Sequence, residues 1–157
     1  MRIDQKYKTL LNGYHINTPL RLAHFMAQIE HESGGFKWLT ELGGKSYFEK
    51  YEGRKDLGNT QAGDGYKFRG RGYIQVTGRA NYTVLSKDTR IDFVNNPDLL
   101  SQEANAMVSA CWYWSKRNLN KYADLDGVKK VTKLINGGYN GLEDRTKLLK
   151  KWKSLLI

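Results

Sequence analysis

One cysteine, two prolines and no long apolar run set the first limits on this 157-residue chain. A lone Cys111 excludes an intrachain disulfide framework and leaves no thiol set for a metal site. A membrane-crossing helix needs ~20 predominantly apolar residues, and no stretch of the sequence approaches that. Met1 to Leu11 is polar and lysine-bearing, without the apolar core or small-residue cleavage site of a secretory leader. Internal repeats, Pro/Ser linkers and low-complexity segments are absent, so no domain boundary is visible. These absences predict one domain over residues 1–157, made and folded in a reducing cytoplasm.

What is present fits a folded protein. The length suits one packed core, and 39% hydrophobic with 12% aromatic residues excludes a disordered chain. Lys and Arg number 26 against 16 Asp and Glu, a formal net charge of +10. Such a field concentrates a protein on polyanions, whether nucleic acid, acidic lipid or an acidic cell wall. The densest block is Lys147, Lys150, Lys151 and Lys153. A nucleic-acid-binding module has this charge in its favour but no helix-turn-helix, zinc or RNA-recognition signature.

Thr18 and Pro19 predict a helix start, at the N-cap and N1 positions. Leu22, Phe25, Ile29 and Glu32 follow with helical spacing, and His24, Gln28 and His31 form a polar row beside them. Gly34 and Gly35 end this helix. Residues 42–72 read as a long glycine-punctuated excursion, of the kind that is usually functional or mobile. Tyr73 to Thr77 alternates as a short strand before Gly78 breaks it. The remaining predicted helices start at Asn96-Pro97, with a stripe of Leu100, Ala104, Met107, Cys111 and Trp114, at about Gly127, and at Leu142. The last has acids at its start and lysines toward its end, matching the helix dipole.

Two carboxyls stand out: Glu32 ends the first long helix, and Glu41 follows nine residues later, past a glycine turn. Glycoside hydrolysis needs such a pair, one acid to protonate the leaving oxygen and another to activate water or stabilise positive charge. Glu32 shares a stripe with Phe25 and Ile29. A carboxyl beside apolar groups favours its neutral form, as a general acid near neutral pH requires. The alternative for Glu32 is a cap or salt bridge at a helix end. Gln75 and Thr77, on one face of the expected strand, and Asn81 beyond it suit recognition of hydroxyl and N-acetyl groups; a solvated edge strand is the alternative. His15, His24 and His31 lack a His-Glu-x-x-His pattern and read as a solvated face, with no metal. Gly70-Arg71-Gly72 is no phosphate loop, since no Gly-Lys-Ser/Thr follows. Cys111, within an apolar stripe, reads as inert core.

Four ordered blocks carry a resemblance over roughly residues 20 to 152. They run from Ala23 through His31-Glu32-Ser33-Gly34-Gly35 to Phe36, from Tyr51-Glu52-Gly53-Arg54 to Thr60, from Phe68-Arg69-Gly70-Arg71-Gly72 through Gln75-Val76-Thr77 to Tyr82, and over Ile135-Asn136-Gly137-Gly138. In these blocks the chain resembles family 19 glycoside hydrolases, the chitinase-like group, and in particular their short bacteriophage endolysin members.

The resemblance implies a mainly α (α+β), lysozyme-like fold: two helical lobes, a small β element and a cleft between them. It implies Glu32 as general acid and Glu41 as the base acting on a water that Thr77 helps to hold. Gln75, Asn81 and Asn136 correspond to substrate-contacting amides, and Arg145 to a late arginine that supports the acids. Asn140 stands where plant members have a glutamate partnering that arginine. Glu52, in a phage-type loop motif, is a second candidate for the base. No cofactor is implied.

Chitin and peptidoglycan share a β-1,4-linked N-acetylhexosamine backbone. No leader or chitin-binding module is visible, and the charge suits an anionic bacterial envelope. Peptidoglycan glycan strands are therefore the expected substrate, cut by a monomer without a separate cell-wall-binding module. It would be held in the host cytoplasm until release at lysis. A chitinase is the alternative. The C-terminal stretch adds a basic amphipathic pattern, with Leu148, Leu149, Trp152, Leu155 and Leu156 opposite the lysines. That pattern serves either domain packing or contact with an anionic membrane.

Overall fold

The computed structural model describes residues 1–157. Nine α-helices follow in order: α1 (Ile3–Lys6), α2 (Lys8–Gly13), α3 (Pro19–Glu32), α4 (Asp64–Lys67), α5 (Arg79–Thr89), α6 (Glu103–Lys116), α7 (Leu119–Asp124), α8 (Val128–Asn136) and α9 (Leu142–Leu156). Short 3-10 turns cover Tyr47–Tyr51, Lys55–Leu57 and Pro97–Ser101. This is the mainly helical class expected. None of these helices is long and apolar enough to cross a membrane. The chain forms two units: Met1–Phe36 with Ala110–Ile157, and Lys37–Ser109.

In the first unit, α3 starts where Thr18 Oγ1 accepts the Arg21 amide at 3.1 Å, with Pro19 at N1. It ends in left-handed Gly34 and Gly35, whose amides reach the His31 and Glu30 carbonyls. Its Ala23, Phe25, Met26, Ala27 and Ile29 are buried. The Phe25 ring meets Trp114 of α6 edge-on at 5.3 Å. α9 packs along α3 and buries Leu149 and Trp152. Each such burial contributes ~1.5–3 kcal/mol. Leu149 and Trp152 thus serve packing, the first of the two uses the pattern allowed, while Leu155 stays 50% exposed.

The second unit packs Phe48, Phe68, Tyr73, Ile74, Val76, Tyr82, Leu85, Phe93 and Leu100. Phe68 and Tyr82 meet edge-on at 5.0 Å. Its β element is smaller than expected, consisting of two antiparallel bridges, Thr40 to Arg71 and Arg71 to Val76.

Three expectations need correction. Tyr73–Thr77 is not a strand: Gly72–Gln75 is a tight turn that folds Val76 back on Arg71 through reciprocal amide–carbonyl bonds of 3.1 and 2.9 Å. Gly72 and Gln75 take positive φ (84° and 59°), which breaks the pleat that alternation requires. The helix expected from Asn96 is interrupted, because extended Gln102 (ψ 138°) separates the Pro97–Ser101 turn from α6. The polar row of α3 is not a solvated face either. His24 and Gln28 are each 1% exposed, with partners from the α7–α8 loop at His24 Nε2 and from α8 and α9 at the Gln28 amide.

Candidate active site

The sequence-predicted residues fall into two groups, one in each unit. The first is built on α3, α8 and α9. Glu32 occupies the last turn of α3, one turn after Gln28, so both point the same way. Opposite them stands Arg145 of α9, 1% exposed. Its Nη2 donates to Glu32 Oε1 at 2.6 Å, Nη1 to Gln28 Oε1 at 2.6 Å, and Nε to the Asn140 carbonyl at 3.0 Å. Of these partners Glu32 alone is charged. Asn140 thus meets the arginine through its backbone, where a carboxylate would have competed with Glu32 for the guanidinium. Gln28 also donates to Thr132 Oγ1 of α8 at 3.2 Å.

Asn136, the last residue of α8, accepts the Asn140 amide at 3.2 Å and so shapes the loop that presents the Asn140 carbonyl to Arg145. Gly141 caps α9 with φ 74°, and a Cβ there would collide with the His31 imidazole. His31 Nδ1 in turn pairs with Asp144 at 2.7 Å. Glu32 keeps 19% side-chain exposure. It is partly buried, as its stripe predicts, but the group facing it is a cation. Tyr113 of α6, whose hydroxyl donates to the Ile135 carbonyl at 3.1 Å, is pushed above the usual phenol range by burial, with Glu32's charge adding to the shift.

The second group surrounds Gly70. The Glu41 amide donates to the Gly70 carbonyl at 2.8 Å, and the Gly70 amide donates back to Glu41 Oε1 at 3.1 Å. Tyr51 donates its hydroxyl to Glu41 Oε2 at 2.9 Å, and the Lys50 ammonium lies 3.9 Å from the same oxygen. Burial and the bond to Glu41 both raise Tyr51 above the usual phenol range, so it stays a donor.

A side chain at Gly70 would fill a specific space. Its Cβ would lie 2.7 Å from Gln75 Oε1, 3.0 Å from Glu41 Oε1 and 3.3 Å from Thr77 Oγ1. Gly70 thus lets three oxygens converge against its backbone, where a Cβ would collide with Gln75 Oε1 and crowd the other two. Gln75 is fixed by its amide bond to the Gly72 carbonyl at 2.9 Å, and Thr77 by its hydroxyl bond to the Gln75 carbonyl at 3.0 Å. Asn81, in the first turn of α5, donates to the Thr77 carbonyl at 2.8 Å.

Glu52 belongs to neither group. Its two oxygens accept the Gly63 and Gly65 amides, each at 2.9 Å, and clamp the turn that opens α4. Those bonds, from Gly65 and Gly63, hold its carboxyl below the usual carboxylate range. Cys111 is buried, and burial pushes its thiol up to about 12, as befits core. No group of three or more His, Cys, Asp or Glu side chains gathers to hold a metal.

Sequence reasoning missed Gln28 as a site residue, along with Thr132, Lys50, Tyr51 and Tyr113. Gln28 alone had a local signal, its four-residue offset from Glu32. Tyr51, ten residues after Glu41, had none.

Each unit thus holds one of the two glutamates among hydrogen-bond donors. Comparison with known proteins supplies the class. The profile of the class I chitinases matches residues 12–130. A family 19 domain-containing protein of Haemophilus influenzae is 35% identical, aligning over 88% of this chain and 80% of its own. The chain therefore belongs to glycoside hydrolase family 19 and is a chitinase-like glycoside hydrolase. An endochitinase of Pisum sativum is 29% identical over 83% of this chain. The chain spans about half of that plant enzyme's length (52%). Among solved structures, chitinase C from Streptomyces griseus matches with a TM-score of 0.74 at 22% identity, covering 93% of this chain and 66% of its own. A second bacterial family 19 chitinase gives the same TM-score and is covered over 82%. At this identity the likeness is one of fold.

Proposed function

We propose that the protein hydrolyses the β-1,4 glycosidic bonds of bacterial peptidoglycan as a bacteriophage endolysin. It would be held in the host cytoplasm and act on the wall at lysis. Glu32 is the general acid and Glu41 the general base. Glu41 acts on a water that Thr77 helps to hold, with Gln75 beside them to meet the substrate, and the convergence of these three oxygens at Gly70 is the observation on which the reading rests. Glu41 takes a proton from the water as it attacks the anomeric carbon. Glu32 gives its proton to the departing glycosidic oxygen, and the new carboxylate is met by Arg145 Nη2. Attack from the face opposite the leaving group inverts the anomeric centre, which requires carboxyls ~6.5–9.5 Å apart. Asn81 and Asn136 contribute amides for N-acetyl and hydroxyl groups.

The net charge of +10 favours an anionic wall over neutral chitin. Chitin is the second reading, favoured by the chitinases and endochitinases among the relatives. Digestion of sacculi and of chitin oligomers, followed by mass spectrometry of the products, separates the two. The reducing end also identifies the chemistry: muramic acid, glucosamine or an anhydro sugar. Rapid cutting of chitin oligomers with poor clearing of sacculi replaces the peptidoglycan reading. Glu32→Gln should abolish cleavage while circular dichroism shows the fold retained, with a lowered melting temperature because Arg145 loses its one charged partner.

A further inference from the structure

Lys50 is held in a way that surface lysines ordinarily are not. A free lysine side chain has about 2 kcal/mol of rotamer entropy, yet this ammonium is fixed from three sides. It lies 3.8 Å from the centre of the Tyr47 ring, 5.0 Å from that of Tyr51 and 3.9 Å from Glu41 Oε2. Tyr47 is itself positioned by a glycine. At Gly43, φ is 144° and a Cβ would lie 2.7 Å from the Tyr47 ring, so only glycine lets the ring lie there. The chain thus uses Gly43 to place Tyr47, and Tyr47 to place Lys50 beside Glu41.

This construction does little for stability. The Lys50 side chain is 44% exposed and Tyr47 49% exposed, and ion pairs so exposed contribute little. At 3.9 Å the Glu41 contact is also longer than a hydrogen bond, so the ammonium keeps donor capacity for a ligand. Tyr47, and after it the nearby phenol and carboxylate charges, raise its pKa above the usual lysine value. It is therefore a fixed, solvent-facing cation within reach of the group that activates water.

We infer that Lys50 is a specificity-determining residue that pairs with a carboxylate borne by the substrate sugar, directly or on an attached peptide, and so selects acidic N-acetylhexosamine glycan over its neutral counterpart. This rests on Glu41 belonging to the hydrolytic site, as proposed above.

The test compares kcat/KM on three soluble substrates: peptide-bearing peptidoglycan strands, strands stripped of peptide to free their lactyl carboxylates, and strands whose carboxylates have been amidated. The wild type should favour an acidic strand over the amidated one by about three- to fivefold, the scale of a partly exposed ion pair. The acidic strand that shows the larger preference identifies the source of the carboxylate. In Lys50→Met the ratio should fall to about one, and Lys50→Arg should keep it. A wild type without preference, or a Lys50→Met variant that keeps the wild-type ratio, overturns the inference. A wild type that cuts none of the three strands overturns instead the peptidoglycan reading beneath it.

Discussion

Gly70 is where the smallest side chain has the largest consequence. Its φ lies outside the left-handed region, so alanine is tolerated by the backbone. The added methyl would instead collide with Gln75 Oε1 and crowd Glu41 and Thr77, pushing apart the side chains that converge there. Gly70→Ala should therefore lower kcat by about 10²-fold or more, the usual worth of a positioned general base, at a stability cost of about 1–3 kcal/mol for the overpacking. A variant that cleaves glycan at the wild-type rate would show that the convergence at Gly70 does not position the base. Arg145 is the converse case, because its three bonds tie the fold as well as the acid. Arg145→Ala leaves Glu32 and Gln28 facing an empty space. Because Glu32 is partly exposed, the expected loss is near the low end of about 3–5 kcal/mol, read from urea melts. Arg145→Lys keeps the charge but cannot serve three acceptors in one plane. It should melt between the two and cleave poorly.

At the scale of the element, α3 unites the legible and the illegible. Its start, stop and apolar stripe were readable because Thr18, Pro19, Gly34 and Gly35 act through local geometry. The burial of His24 and Gln28 was not readable, since their partners lie about a hundred residues away. Glu32 and Glu41 were marked as candidates by motif, whereas the turn at Gly72–Gln75 was hidden by an alternating pattern that suits a strand equally well. Lys50 left no signal, because its placement depends on rings and a glycine that only the folded chain assembles. The burial of His24 has a measurable result. Nε2 donates to Asp126 Oδ1 at 2.6 Å, and Nδ1 is buried without a partner. Burial lowers the imidazole below its ordinary 6.5, against the raising effect of Asp126. The unfolded chain therefore binds this proton more readily than the folded one, so stability falls as pH drops below 6.5. The slope is at most about 1.4 kcal/mol per pH unit. Asp126 is also lowered: burial pulls it up, but the hydrogen bonds from Lys153 and His24 outweigh that. Its contribution is lost only at more acid pH, below 3.8. Melting curves from pH 7.5 to 5 should show the first loss, and His24→Gln should flatten it. An unchanged slope in that variant would assign the loss to another group.

Across the whole molecule, charge is shared unequally. The first unit holds 15 of the 26 cations and 7 of the 16 acids, leaving +8 there and +2 on Lys37–Ser109. Much of that excess lies along α8 and the segment before it. Between Arg117 and Leu142 there are two acids, Asp124 and Asp126, and both are engaged: the first with Arg21 at 2.8 Å, the second with His24 and Lys153 at 2.6 Å. The lysines of α8 gain no relief from them. Lys129, Lys130 and Lys133 are exposed, with Lys130 and Lys133 lying 5.6 Å and 5.9 Å from the Tyr122 and Tyr139 rings. An anionic wall polymer would find its attraction here, on the helix that ends at Asn136. Replacing all three lysines with glutamine should weaken binding to sacculi about tenfold at low salt, if each contributes within the ~0.2–1 kcal/mol of an exposed ion pair. The difference should shrink as salt shortens the screening length to about 10 Å at 0.1 M, while turnover of short neutral oligomers stays the same. Wild-type binding that ignores salt, or a triple variant that binds sacculi as the parent does, would show that the charge of α8 does not hold the enzyme to its substrate.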